Sequence, residues 1–276
     1  FAAIVGDDEG PLPEALAMLA AQHGARFAYL LPNFQNPGGR CLGAARRLAL
    51  VQAATAAGLP IVEDNPYGDL WFDEPPPPPL AATAGLGEDG GAIYLGSFSK
   101  VLAPGLRLGY VVAPKRLYPK LLQAKQAADL HTPGFNQRIV HEVVKGRFLH
   151  EHVPTIRARY RAQRDAMQAA LREHLAPLAG ADGSRCRWSV PGGGMFFWVE
   201  LPNGLDATAL LPRAVAAGMA YVPGATFFPA APRANTLRLS FVTASPAQIA
   251  TAVAALGRVL AQALDEQTAQ AVAAPA

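Results

Sequence analysis

Short apolar runs alternate with longer stretches of helical composition through the first half of the chain. Residues 27–31 form an apolar run that Pro32 stops, which predicts a buried strand. Residues 44–57 have helical composition and close at Gly58. Residues 59–62 predict a second strand, which runs into the polar Glu63-Asp64-Asn65-Pro66. Residues 92–95 and 108–112 predict two more, and residues 1–5 also read as a strand. Strands separated by helices need crossover connections, so the pattern predicts an α/β fold with a mostly parallel sheet flanked by helices.

The second half has a different rhythm. Residues 115–130 predict a helix. Residues 153–175 predict a long one, with Ile156, Tyr160, Met167, Leu171 and Leu175 near helical spacing. Strands are expected at 186–190 and 195–201, flanking Pro191-Gly192-Gly193-Gly194, and at 237–242. Helices are expected at 207–217 and 246–264, with an Ala/Gln-rich tail fraying from Asp265. The pattern divides the chain into a large domain, 1–150, and a connector helix with a smaller α+β domain, 151–276. The chain opens on an apolar run with no initiator Met, so part of the protein is expected to lie upstream and the large domain to be incomplete at its N-terminus.

Composition narrows the classes. With 276 residues, 51% hydrophobic and 16% charged, the chain reads as globular. The net charge of +3 is mild and scattered, and no Lys/Arg stripe interleaves with aromatics, so no nucleic acid is expected on this chain. Cys41 and Cys186 are too few for a disulfide framework or a Cys-rich zinc site, and reduced thiols in a cytoplasmic protein are the expectation. No apolar run reads as long enough to cross a bilayer, so no membrane partner is expected. His23, His131, His141, His150, His152 and His174 lack paired ligand spacing, so no metal is expected. Pro75 to Pro79 reads as a surface loop.

In a parallel sheet, ligands bind beyond the carboxyl ends of the strands, and three polar clusters fall there. They are Asn33 to Gly39, Asp64 to Tyr67, and Ser97 to Lys100. Lys100 offers an amine nucleophile flanked by the hydroxyls of Ser97 and Ser99, with Arg107 following as a fixed cation. Such a set suits an aldehyde cofactor that carries a phosphate: a Lys for the Schiff base, a carboxylate (Asp64) for a pyridine nitrogen, donors (Asn36, Tyr67) for a phenolic oxygen, and hydroxyls with a guanidinium for the phosphate. Arg238, in Leu237-Arg238-Leu239-Ser240, offers a fork for a substrate carboxylate. Taken singly, each is equally at home in an ordinary turn, surface strand or core.

Their order is more specific. Asn36-Pro37-Gly38-Gly39, then Glu63-Asp64-Asn65-Pro66-Tyr67, then Ser97-Phe98-Ser99-Lys100 with Ala103-Pro104-Gly105-Leu106-Arg107, then the late Leu-Arg-Leu-Ser strand resembles the fold-type I, class I/II aminotransferases. With Pro32 to Gln35, Gly193-Gly194-Met195-Phe196, Val222-Pro223-Gly224 and Phe227-Phe228 added, the chain looks most like the 2-aminoadipate and kynurenine aminotransferase branch. The resemblance implies pyridoxal 5'-phosphate as cofactor, with Lys100 as the Schiff-base lysine and catalytic residue. Asp64 would pair with the pyridinium, Asn36 and Tyr67 would donate to the phenolate, and Ser97, Ser99 and Arg107 would hold the phosphate. Asn36 and Arg238 would bind the substrate. It implies amino-group transfer from an amino acid to a 2-oxo acid such as 2-oxoglutarate, in a homodimer. Two alternatives stay open: the aminotransferase-like effector domain of a winged-helix transcription regulator, and a truncated chain without turnover.

Overall fold

A computed structural model describes residues 1–84 and 90–273. The chain starts with a small hairpin, β1 (Gly6–Asp7) against β2 (Gly10–Pro11). Residues 1–5, expected as a strand, find no strand to pair with and stay irregular. The main sheet follows: β3 (Ala28–Leu30), β4 (Ile61–Asp64), β5 (Ala92–Ser97) and β6 (Gly109–Val112), in that spatial order. The first three run parallel, while β6 returns antiparallel to β5 through a tight connection that leaves no room for a crossover helix.

One face of this sheet is packed. Ala28, Leu30, Ile61 and Ala92 meet residues of α1 (Pro13–His23), α2 (Ala44–Ala56) and the short α3 (Leu80–Ala84). Side chains alternate along a strand, so the opposite face carries Tyr29, Val62, Asp64, Ile93, Leu95 and Ser97. All of these are half-buried or exposed.

Helix α4 (Tyr118–Asp129) and the unanticipated α5 (Gly134–Val144) lead to α6 (Phe148–His174). That helix starts one turn earlier than the apolar spacing predicts and keeps Pro154 inside it. A second, antiparallel sheet has the order β7 (Arg187–Trp188), β8 (Phe196–Glu200), β10 (Thr236–Ser240), β9 (Val222–Pro223), with α7 (Ala207–Ala216) beside it. Asp206 caps α7 by accepting from the amides of Thr208 and Ala209.

The last helix, α8 (Pro246–Ala273), passes the point where fraying was expected. Ala and Gln are strong helix formers. The extension is also anchored, because Glu266 takes both terminal nitrogens of Arg213 and Gln267 donates to the Gly204 carbonyl at 2.7 Å. By length and composition α8 could also cross a membrane, which corrects the sequence reading. Its apolar residues serve a different purpose: Ile249, Val253, Leu256 and Leu260 are buried in the second core with Phe197, Val199, Leu237 and Leu239.

Candidate active site

The site lies where the first sheet's carboxyl ends meet the second sheet. Below it runs a chain of buried polar contacts. Arg47 from α2 is 2% exposed. It donates to the carbonyls of Leu42 (2.8 Å) and Pro78 (3.1 Å) and to the Asn33 side chain. Asn33 donates to Asn65 Oδ1 at 2.9 Å, and Asn65 donates to Tyr94 Oη at 2.9 Å. The segments that follow β3 and β4 are thereby tied to each other and to the middle of β5. The proline run lies on the surface as expected, and its Pro78 carbonyl is one of Arg47's acceptors.

Asp64 ends β4 beside Leu95 of β5, and the Asn65 amide donates to the Leu95 carbonyl at 3.0 Å. One strand-end further on, Ser97 to Lys100 turn away from the sheet. The Ser97 hydroxyl accepts from the Ser99 amide at 3.1 Å. The Phe98 amide donates to the Leu108 carbonyl at 3.1 Å, which brings the Arg107 segment alongside. Arg107 itself is exposed, sits at φ 52°, and donates to the Pro104 carbonyl of its own turn. Lys100 is half-buried and makes no hydrogen bond or ion pair among the described residues.

Arg238 comes from the other sheet. Leu237 and Leu239 point into the second core, so alternation sends Arg238 out on the face of Trp198 and Phe196. Its guanidinium lies 4.1 Å from the Phe196 ring centre and 5.1 Å from that of Phe227. It donates to Asn36 Oδ1 at 2.6 Å, joining residues 202 apart in sequence, while its buried Nε has no partner among the described residues. Tyr67, buried and edge-on to Phe196, lies between these groups. Burial pushes its phenol up, the Arg238 charge pulls it back, and Asp64 adds to the rise. Desolvation pulls the Arg238 guanidinium below its ordinary value, and the neighbouring Tyr67 opposes that.

The glycine loop between β7 and β8 seals the join. Gly193 bridges to Trp71, the Gly194 amide donates to the Leu70 carbonyl at 2.8 Å, and the Phe72 amide donates to the Gly192 carbonyl at 2.9 Å. A Cβ on Gly193 would sit 2.6 Å from both the Leu70 carbonyl and the Phe34 ring. Gly194, at φ 73°, has Phe34 Cβ equally close. The loop fits against the Phe34 segment that carries Asn36.

The structure therefore joins Asn36 to Arg238 and sets Tyr67 between Arg238 and Asp64. Ser97, Ser99, Lys100 and Arg107 share one turn at the neighbouring strand end, without a direct bond to that group. Sequence reasoning missed Tyr29, whose hydroxyl donates to Asp64 Oδ2, since it read that segment only as an apolar strand. It also gave no role to Phe196 and Phe227, which flank Arg238. A groove of about 1190 Å³ runs from Ile4 and Leu16 past Tyr29 to Asn36, Phe227 and Pro229. It exceeds the ~300–1,000 Å³ of a small-molecule site, and the part lined by Tyr29, Asn36 and Phe227 adjoins the candidate chemistry.

The model of the aminotransferase class I and II family matches residues 12–256. The chain belongs to that family. It is 43% identical over 260 residues to a 2-aminoadipate transaminase of Thermus thermophilus, covering 94% of this chain and 64% of that protein. A crystal structure of an alpha-aminoadipate aminotransferase from Thermus thermophilus, complexed with N-(5'-phosphopyridoxyl)-L-leucine, superposes with a TM-score of 0.87 at 42% identity. That match covers 97% of this chain and 66% of the other. An uncharacterized HTH-type transcriptional regulator of Bacillus subtilis is 31% identical over 253 residues, 90% of this chain and 49% of the regulator. The chain thus spans less than two thirds of the relatives it matches, and its α/β fold is that of the fold-type I aminotransferases.

Proposed function

We propose that the protein is a pyridoxal phosphate-dependent aminotransferase that moves an amino group from an amino acid to a 2-oxo acid, 2-oxoglutarate being the expected acceptor. The observation that carries this reading is the meeting of Arg238 with Asn36 beside Tyr67 and Asp64. Two distant segments converge there, and the fork-shaped cation keeps a buried donor without a partner among the described residues. The donor set suits the cofactor. Among the described residues, Lys100, the Tyr67 hydroxyl and Asp64 Oδ1 have no hydrogen-bond partner. Asn36 spends its carbonyl on Arg238, which leaves its amide hydrogens to donate.

Bound pyridoxal phosphate supplies an aldehyde that bonds to an amine and a protonated ring that accepts electrons from the substrate Cα. On this reading Lys100 Nζ would hold the aldehyde carbon and, once the substrate amine had displaced it, would be the base that takes up and returns the Cα proton. Asp64 keeps a proton on the ring nitrogen. Asn36 and Tyr67 donate to the phenolic oxygen, and Ser97, Ser99 and Arg107 grip the phosphate. Arg238 binds the α-carboxylate and so aims the Cα proton at Lys100. We further propose a homodimer, a cytoplasmic setting, and two domains, 1–150 and 151–276. The cores of the two sheets support that division, with Phe72 and a third cluster of Tyr67, Leu70, Val101, Val153 and Phe196 packing across it.

Titration with pyridoxal phosphate tests the reading. A visible absorbance band should form and should vanish in Lys100→Ala. It should be sought in this chain and in the longer product wherever the reading frame continues upstream of Phe1. No band in either sinks the proposal, and a band without transamination of any amino acid favours the second reading. That second reading, an aminotransferase-like effector domain of a transcription regulator, is motivated by the 31% identity to the Bacillus regulator. A winged helix encoded upstream would support it.

A further inference from the structure

Tyr29 is the middle residue of β3, between Ala28 and Leu30, which point into the core. Alternation puts its ring on the face that carries Asp64. It pairs with Val62 across the parallel ladder, so Asp64 lies two residues further along the adjoining strand. Strands about 4.8 Å apart with a rise of about 3.3 Å per residue place the two Cα atoms roughly 8 Å apart on a diagonal. A tyrosine spans that distance and a shorter side chain does not. The hydroxyl does reach, and it donates to Asp64 Oδ2. Asp64 Oδ1 has no partner among the described residues. The phenol keeps its proton: partial burial, and after it the hydrogen bond and charge of Asp64, push its pKa well above the usual range.

A carboxylate at a strand end can rotate about its own bonds. One oxygen held by Tyr29 fixes the plane and leaves the other with a set direction. We propose that Tyr29 is a positioning residue, which locks the Asp64 carboxylate through Oδ2 so that Oδ1 faces a cationic ring N–H. This rests on the cofactor reading above. Tyr29 acts through Asp64 and does not touch the reacting atoms. A hydrogen bond to a charged acceptor is the strong kind, so its loss is expected to cost about a tenfold rise in the cofactor's dissociation constant.

The experiment is an absorbance titration with pyridoxal phosphate on wild type, Tyr29→Phe, Asp64→Asn and the double variant. Phe keeps the ring on a half-exposed site, so the fold is preserved. Tyr29→Phe should weaken binding about tenfold and Asp64→Asn more. The double variant should match Asp64→Asn alone, because Tyr29 then has no carboxylate to hold. Tyr29→Phe should also shift the pH midpoint of the bound cofactor's visible band. Wild-type affinity and an unmoved midpoint in Tyr29→Phe overturn the proposal and leave the cofactor reading intact. A further loss in the double variant also overturns it, because the Tyr29 hydroxyl would then act on something other than the Asp64 carboxylate. If neither this chain nor the product extended upstream of Phe1 takes up cofactor, both fall together.

Discussion

Gly193→Ala probes the contact that assembles the site. The added methyl would lie 2.6 Å from the Leu70 carbonyl oxygen and 2.6 Å from Phe34 Cζ. Neither neighbour yields easily. Leu70 is in the backbone bridge to the glycine loop, and Phe34 is 3% exposed. Overpacking of this kind costs about 1–3 kcal/mol. At about 2–4 °C per kcal/mol for a chain of this size, the apparent midpoint of thermal unfolding should drop by roughly 2–12 °C. Gly192→Ala is the control one residue away. A Cβ there meets nothing within 4 Å, and its φ lies outside the left-handed range. That variant should be neutral or stabilised by a few tenths of a kcal/mol, through a less flexible unfolded chain. Circular dichroism melts of the two variants and wild type, under one buffer and scan rate, give the comparison. Equal midpoints for both variants would refute the reasoning, since they would show that Phe34 and Leu70 make room without cost. In the active protein, Gly193→Ala should also weaken carboxylate binding, because the displaced Phe34 loop carries Asn36.

Arg238→Lys keeps the charge but loses the fork that bridges Asn36 and a carboxylate. The KM for the amino acid donor should rise roughly 10- to 100-fold, corresponding to one charge-assisted hydrogen bond. An unchanged KM would remove Arg238 from substrate binding. Glu63 is fully buried, accepts from the Ala81 amide at 2.8 Å, and leaves Oε1 without a partner among the described residues. Burial pushes its carboxyl above the usual value of 4.5, partly offset by the Ala81 and Leu80 amides and by Arg47. The folded state then binds the proton more tightly than the unfolded one. Its contribution is complete below about pH 4.5 and declines as pH rises through the raised folded value. Urea melts across pH 4.5 to 7.5 should show wild type losing stability relative to Glu63→Gln as pH rises. A constant difference would contradict the assignment.

Most of the candidate groups could be picked out of the chain because their placement at strand ends is local. Ser97-Phe98-Ser99-Lys100 and Glu63-Asp64 each follow an apolar run that ends in a polar cluster, and strand ends are where a parallel sheet exposes ligand-binding groups. The Leu237-Arg238-Leu239 alternation likewise implies an Arg on the face opposite the core. Element boundaries were less legible. Residues 1–5 have strand composition, but a strand exists only where a partner strand lies alongside. Residues 265–273 look like a fraying tail until Arg213 and the Gly204 carbonyl supply partners from elsewhere.

By itself, the sequence determined the alternation of strands and helices, the polar groups at the strand ends, and the order of Asn36, Asp64, Tyr67, Lys100, Arg107 and Arg238. These depend on neighbours a few residues apart, and side-chain periodicity encodes them directly. The tertiary structure alone decided that Arg238 meets Asn36, that Phe196 and Phe227 flank the guanidinium, and that Tyr29 holds Asp64. These contacts join residues from 11 to 202 apart in sequence. Register, sheet twist and loop docking set such contacts, and local pattern carries no information about them.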